Sequence, residues 1–273
     1  MNDTKSEVVS AIFGTPGYST AVPLTADELE QIRGWTTELW LARIGELYPD
    51  KVESFREVGL ENYHKLADTI DHDSIWPRAA REYPADVAEK FCGLPFLSRL
   101  KEVLGPCSIS DWEDSGFADF TWRLCRPNAE NDVGPLHTDG SFWRIDGREN
   151  PPGHVRVKCW IALYNEPGLS GLSVVPDSHK QRHPYRAETR HGRSKPILEL
   201  KNGSPETFLA PLEAGGTILF HDGLLHGGVV GRGVATRVSV EFTLFVKREV
   251  AEPFVSPGCP IQVDYDPIAD EIG

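Results

Sequence analysis

Two hydrophobic rhythms divide the chain. Leu29, Ile32, Trp35, Leu39 and Ile44 recur at roughly helical spacing, and so do Val87, Phe91, Leu94, Leu97 and Leu100. Thr25 precedes the first run, with Glu28 three residues on. This capping pattern predicts a helix from there to about Tyr48. The second run, over residues 84–104, has Pro84 suited to a first turn. It also has Gly93 and Pro95 inside, so two short helices are expected in place of one. After Gly105 the period falls to two. Phe120, Trp122 and Leu124 alternate with Thr121, Arg123 and Cys125. Val155, Val157, Cys159, Ile161 and Leu163 alternate with Arg156, Lys158, Trp160 and Ala162. Val238, Val240 and Phe242 alternate with Arg237, Ser239, Glu241 and Thr243. Leu172-Ser173-Val174-Val175 and Thr217-Ile218-Leu219-Phe220 are strand-like runs ended by Pro176 and by His221-Asp222-Gly223. Many short strands with Gly/Pro turns predict a sandwich or barrel, against which the helical N-terminal part packs.

Composition adds bounds to this picture. The 273 residues are 40% hydrophobic and 25% charged, which suffices for a full core, and no composition shift marks a linker; a single domain over residues 1–273 is expected. A net charge of −13 argues against nucleic acid or an anionic membrane as partner, although a local basic patch leaves small anions open. Cys92, Cys107, Cys125, Cys159 and Cys259 are odd in number and none forms a CxxC pair. A disulfide framework or cysteine zinc site is therefore not expected, and a reducing compartment fits. The first residues, MNDTKSEVVS, lack a basic start and apolar run, and no apolar stretch approaches the ~20 residues of a membrane span. The expected location is the cytoplasm.

Three pieces carry candidate chemistry. In Pro135-Leu136-His137-Thr138-Asp139-Gly140, residues two apart on a strand share a face, so His137 and Asp139 can reach one ion. In Phe220-His221-Asp222-Gly223-Leu224-Leu225-His226-Gly227-Gly228, His226 supplies a second imidazole, with His221 as a rival five residues earlier. Two histidines and a carboxylate with open positions form the facial arrangement of non-haem iron(II) oxygenases. Arg237 lies eleven residues after His226 and Ser239 two further on, both on one strand face. An arginine fork matches a carboxylate, and a guanidinium pointing into a barrel without a partner would be costly. A charged ligand resolves that cost.

This set resembles the iron(II)/2-oxoglutarate oxygenase superfamily. Trp160-Ile161-Ala162-Leu163 and the stretch Leu169-Ser170-Gly171-Leu172-Ser173-Val174-Val175-Pro176-Asp177-Ser178-His179 are similar to the phytanoyl-CoA dioxygenase family, with its Trp-containing strand, Asn-Gly-x-Leu turn and Pro-Gly-Ser-His segment. Leu169 stands for the family's Asn, Ser170 for its first Gly and Asp177 for its second. The resemblance covers residues 121–245. It implies a double-stranded β-helix, or cupin-like jelly roll: a mainly β fold with flanking helices. Residues 1–105 would be mostly helical, 106–250 the jelly-roll core and 251–273 a C-terminal tail. It further implies His137, Asp139 and His226 as ligands of Fe(II). Arg237 and Ser239 would hold the distal carboxylate of the co-substrate 2-oxoglutarate, and Trp160 would line that site. Arg123 or Lys158 would meet the 1-carboxylate or the substrate. Dioxygen is the other co-substrate, and succinate and CO2 are released. Halogenases of this kind have a small residue in place of the ligand aspartate, so Asp139 favours hydroxylation. The alternatives are a cupin-like hydrolase or isomerase and a non-catalytic binding module on the same scaffold.

The substrate has fewer sequence signals. Residues 179–195 carry Lys180, Arg182, Arg186, Arg190, Arg193 and Lys195 against Glu188 alone, a local reversal of the chain's sign. Arginine suits phosphate or carboxylate recognition, so Arg182 and Arg186 are candidate contacts to a small anionic substrate. Phe142-Trp143 follows the His137 motif, and Trp143 is a candidate pocket wall.

Overall fold

The computed structural model describes residues 2–190, 193–199, 203 and 205–262. Its helices are α1 (Asn2–Phe13), α2 (Ala26–Leu47), α3 (Val52–Val58), α4 (His72–Ile75), α5 (Ala85–Cys92), α6 (Pro95–Leu104), α7 (Asp139–Ile145) and α8 (Arg248–Ala251). Its strands are β1 (Tyr18–Ser19), β2 (Cys107–Ile109), β3 (Thr121–Cys125), β4 (His154–Tyr164), β5 (Leu172–Val174), β6 (Tyr185–Arg190), β7 (Arg193–Leu198), β8 (Phe208–Leu209), β9 (Thr217–His221), β10 (His226–Gly228) and β11 (Arg237–Lys247). The main sheet runs β1-β9-β4-β11-β2, with β3 also paired to β11; a smaller sheet runs β10-β5-β8, and β6 and β7 form a hairpin. Every pairing is antiparallel. This is the jelly roll expected from the alternating strands.

The alternation sorts the main sheet into two faces. Val157, Cys159, Ile161, Val238, Val240, Phe242, Trp122 and Leu124 join one buried cluster with the N-terminal helices. Phe91 of α5 stacks on Phe120 at 4.2 Å, and Phe120 meets Phe242 of β11 at 5.0 Å, so aromatic rings fasten the helical layer to the sheet. The opposite face carries Arg156, Lys158, Trp160 and Ala162 on β4 and Arg237, Ser239, Glu241 and Thr243 on β11. There Trp160, Ala162, Ile218 and Phe220 form a second cluster with Leu172 and Val174 of the smaller sheet. The inner face therefore looks into the roll and holds the polar residues.

Two local features of the N-terminal part refine the sequence reading. The residue-84 run does split, with Leu94 as the break before Pro95, and Pro84 caps α5 from outside its first turn. The part is not purely helical, because Tyr18 and Ser19 pair with Phe220 and Leu219 at the sheet edge. A two-residue strand leaves no periodicity to read.

The Thr25–Glu28 capping box forms as expected, and Arg99 of α6 joins it at 2.6 Å from Glu28 Oε2. Burial alone would raise the Glu28 carboxyl, but the Arg99 guanidinium and the Thr25 donors outweigh it and hold it down to about 2. A carboxyl lowered by folding stabilises the fold fully above its unfolded value near 4.5, and that contribution is lost as pH falls through the folded value. Glu28→Gln is therefore expected to cost about 2 kcal/mol at neutral pH. The wild-type advantage should shrink between about pH 5 and pH 2 in urea titrations. A difference independent of pH would count against the ion pair.

Candidate active site

The metal-binding residues meet where a loop closes over the smaller sheet. His137 pairs through its backbone with His226 of β10, donating its N–H to the His226 carbonyl at 2.9 Å and accepting in return at 3.0 Å. The two rings face each other with centroids 4.4 Å apart. Each ring is held in the same way: Nδ1 of His137 lies 2.9 Å from the Pro135 carbonyl, and Nδ1 of His226 lies 2.9 Å from the Leu224 carbonyl. A carbonyl only accepts, so both Nδ1 atoms carry the proton and both Nε2 lone pairs are free.

Asp139 reaches the same point by a different route from that expected. It does not sit on a strand beside His137; Thr138 is extended, with φ −113° and ψ 141°, and Asp139 is the first residue of α7. The Thr138 and Ser141 hydroxyls, 2.6 Å apart, and the Gly140 N–H donating to the Asp222 carbonyl at 3.0 Å hold that helix start. One ligand atom from each of His137, Asp139 and His226 lies within 4.8 Å of the others. Asp139 Oδ2 is buried without a hydrogen bond among the described residues, 3.8 Å from His226 Nε2 and 3.9 Å from Lys158 Nζ. Burial, then the neighbouring His226, lowers the His137 imidazole to about 4, so it is neutral near pH 7. Burial opposes ionisation of Asp139, but Lys158 and the two histidines keep its carboxyl below the usual range. Two imidazoles with open Nε2 positions and a carboxylate with one orphaned oxygen fit a divalent metal.

His221 is no rival. It points to the outer side of β9, against Phe13 and His179. Its Nε2 donates to the Ile261 carbonyl at 3.0 Å, and its Nδ1 accepts from the Gly223 N–H at 2.9 Å.

The anion clamp lies on the inner face. Arg237 is 5% exposed. Its Nη1 donates to the Gly171 carbonyl at 3.0 Å, its Nη2 lies 2.7 Å from Cys125 Sγ, and its Nε is buried without a partner among the described residues. The guanidinium stands 5.9 Å from the Trp160 ring, and Ser239 is buried beside it. A side chain at Gly228 would press within 3.0 Å of Nη2, which is why a glycine after His226 suits this site. Arg237, Ser239 and Trp160 are thus brought together. Cys125 was not singled out from the sequence as a neighbour of Arg237, because it comes from another strand 112 positions away.

The other candidates separate. Arg123 is half exposed and committed to Glu241, through Nε at 2.9 Å and Nη2 at 2.7 Å. Lys158 is the cation beside the triad. Trp143 is 5% exposed and packs into the support of α7, against Trp112 at 4.6 Å, Phe245 at 5.6 Å and the Arg156 guanidinium at 4.9 Å. The basic segment forms the β6–β7 hairpin, whose β7 contacts α7, and its described cations have local surroundings. Lys180 pairs with Asp177, Arg186 with Glu188, and Arg182 lines a surface cavity of about 480 Å3 with Arg248, Glu252 and Ile261. His191 and Gly192, and the side chains of Arg190 and Arg193, lie outside the described residues. Asp177, where the resembled family has glycine, adopts a left-handed conformation with φ 63°, so the backbone demand persists although the residue differs.

Fold and site together define a jelly-roll protein with a two-histidine, one-carboxylate cluster suited to a metal and a buried arginine on the inner face. The sequence profile of the phytanoyl-CoA dioxygenase family matches residues 17–237, and the chain belongs to that family. Iron(II), 2-oxoglutarate and dioxygen go with this family and this donor set. Among solved structures, AviO1 from Streptomyces viridochromogenes Tue57 is 14% identical, covers 94% of this chain and 96% of its own, and superposes with a TM-score of 0.50. The epimerase SnoN, in complex with Fe3+, alpha ketoglutarate and nogalamycin RO, is 15% identical, covers 98% and 94%, and gives a TM-score of 0.53. These likenesses establish the shared fold. No curated protein sequence matches the chain significantly.

Proposed function

We propose that the protein is an iron(II)- and 2-oxoglutarate-dependent hydroxylase of a small anionic metabolite, releasing succinate and CO2. The observation that carries this reading is the buried, incompletely satisfied Arg237, placed on the inner face with Ser239 and Trp160 of a roll whose other wall bears the triad. In this reading His137, Asp139 and His226 hold the iron, which supplies dioxygen activation and oxidation of a substrate C–H bond. Arg237 and Ser239 take the distal carboxylate of 2-oxoglutarate, and Trp160 walls its chain. Asp139 fills the third protein position, which supports hydroxylation over halogenation. SnoN, an epimerase, shows that another outcome runs on this fold.

The anionic character of the substrate rests on Lys158 more than on Arg182 or Arg186. Lys158 is only 15% exposed beside the triad, 3.9 Å from Asp139, and a metal would draw on that carboxylate and leave Glu241 and Asp119 as its more distant counter-charges. An anion, from substrate or from the 1-carboxylate of 2-oxoglutarate, restores the balance. Arg123, already paired with Glu241, is less free for that task.

The direct test is succinate formation by the Fe(II)-reconstituted protein. Arg237→Gln is expected to raise the KM for 2-oxoglutarate by on the order of 10- to 100-fold, the worth of a charge-assisted hydrogen-bond pair, with a smaller effect on kcat. An unchanged KM would remove Arg237 from the co-substrate site.

A further inference from the structure

One charged group on the inner face has no part in holding iron or 2-oxoglutarate. Along β11, the residue after Ser239 on the same side is Glu241, opposite Thr121 of β3 and Trp160 of β4. Its side chain is 17% exposed, and Arg123 contacts it through Oε1, by Nε at 2.9 Å and Nη2 at 2.7 Å. Arg123 engages Oε1 alone, and Oε2 is not among the atoms buried without a partner, so it opens to solvent. Burial would raise this carboxyl, but Arg123, Lys158 and His226 all lower it, which also places it within electrostatic reach of the metal ligands.

A carboxylate inside a roll is costly unless paired on both oxygens or open to a ligand. Here one oxygen is fixed by a guanidinium and the other is left as an oriented acceptor. Arg123 thereby holds Glu241 ionised and restrains its side chain, the arrangement of a preorganised recognition group. An aliphatic chain against Oε2 would strip its water and return no hydrogen bond, at a penalty that selects against it. An N–H or O–H donor would be matched. Lys158, on the neighbouring strand, offers the complementary charge to an acid on the same small molecule.

We propose that Glu241 is a specificity-determining residue that accepts a hydrogen bond from an amine or hydroxyl group of the substrate, so that the substrate is a short amino or hydroxy acid and not a long acyl chain. This rests on the oxygenase reading above and adds the substrate class to it. It separates this chain from the acyl-CoA for which its family is named.

The test uses the Fe(II)-reconstituted full chain with 2-oxoglutarate, reading succinate with four sets of probes: α-amino acids, short hydroxy acids, octanoate and octanoyl-CoA. Amino or hydroxy acids are expected to accelerate succinate formation, and the octanoyl probes are not. For an active amino acid, Glu241→Gln is expected to raise the probe KM by on the order of 10- to 100-fold, because a charged acceptor is lost. For an active hydroxy acid the rise is about threefold, since the amide oxygen still accepts. Glu241→Asp, which keeps the charge, should recover part of the loss. Acceleration by octanoate or octanoyl-CoA alone, or by none of the donor-bearing probes, overturns the inference while the oxygenase reading stands. An equal rise in the KM for 2-oxoglutarate signals general distortion of the face and also overturns it. No 2-oxoglutarate turnover under any condition overturns both.

Discussion

His226→Ala is expected to lower affinity for Fe(II), or for Mn(II) as a redox-inert stand-in, by at least roughly 100-fold and to reduce succinate formation to background. The size follows from how the site is built. The two imidazoles are not loose side chains that happen to converge. Their backbones form a reciprocal bridge at 2.9 and 3.0 Å, and each Nδ1 is tied to a carbonyl two residues upstream. Both Nε2 atoms are therefore aimed before metal arrives, and little conformational entropy is left to lose on binding. Removing one leaves His137 and Asp139, of which Asp139 already has Lys158 as a neighbouring cation. The control is His221→Ala. Both ring nitrogens of His221 are engaged on the far side of β9, so this variant is expected to bind metal at the wild-type stoichiometry. Isothermal titration of the metal-free protein with Mn(II) reads both results. Wild-type affinity in His226→Ala, or loss of the metal in His221→Ala, would reverse the ligand assignment.

How far the site was legible depends on the range of the interactions that make it. The Thr25–Glu28 box is a four-residue signal and is found where the sequence placed it. The alternation of β4 and β11 is a backbone property, so the inner face with Arg237, Ser239, Lys158 and Trp160 could be drawn from spacing alone. The strand assignment of Asp139 failed because α7 is seven residues long and lacks a side-chain cap bond. It is held by Trp143 packing against Trp112 and Phe245 and by a hydrogen bond to Asp222, contacts no local window contains. His137 and Asp139 share a focus all the same, because Thr138 between them is extended, so residues two apart still face the same side. The partner of Arg123 was illegible for the same reason. Glu241 stood in plain view in the alternation, but the pair closes across 118 residues. For the basic segment the sequence gave the charge and not the surroundings: Arg186 meets Glu188 and Arg182 lines a surface cavity with Arg248 and Glu252.

Asp222→Asn is expected to destabilise the fold by about 3–5 kcal/mol and to weaken metal binding by roughly 10-fold, although Asp222 touches no metal. Arg156 and Asp222 form an ion pair at 2.6 Å with side chains only 4% and 2% exposed, and Arg156 also donates to Asn150 Oδ1. Both Arg156 bonds to Asp222 converge on Oδ2, so neutralising that partner leaves a guanidinium buried against an amide that does not restore the charge. The disturbance has a short path to the centre. The Asp222 backbone carbonyl, which the substitution keeps, accepts the Gly140 N–H at 3.0 Å, and Arg156, whose position depends on the Asp222 carboxylate, lies 4.9 Å over the Trp143 ring, so the pair braces α7, which begins at Asp139, through Arg156. If the pair acts through charge, the double variant Arg156→Met, Asp222→Leu should recover much of the stability, because no isolated charge remains. It should not recover the metal affinity, since the brace on α7 is still altered. Urea denaturation and Mn(II) titration of both variants separate the two effects. Full metal affinity in Asp222→Asn, with stability lost, would confine this ion pair to holding the fold and leave Asp139 positioned by the Thr138–Ser141 contact and the Gly140 backbone bond.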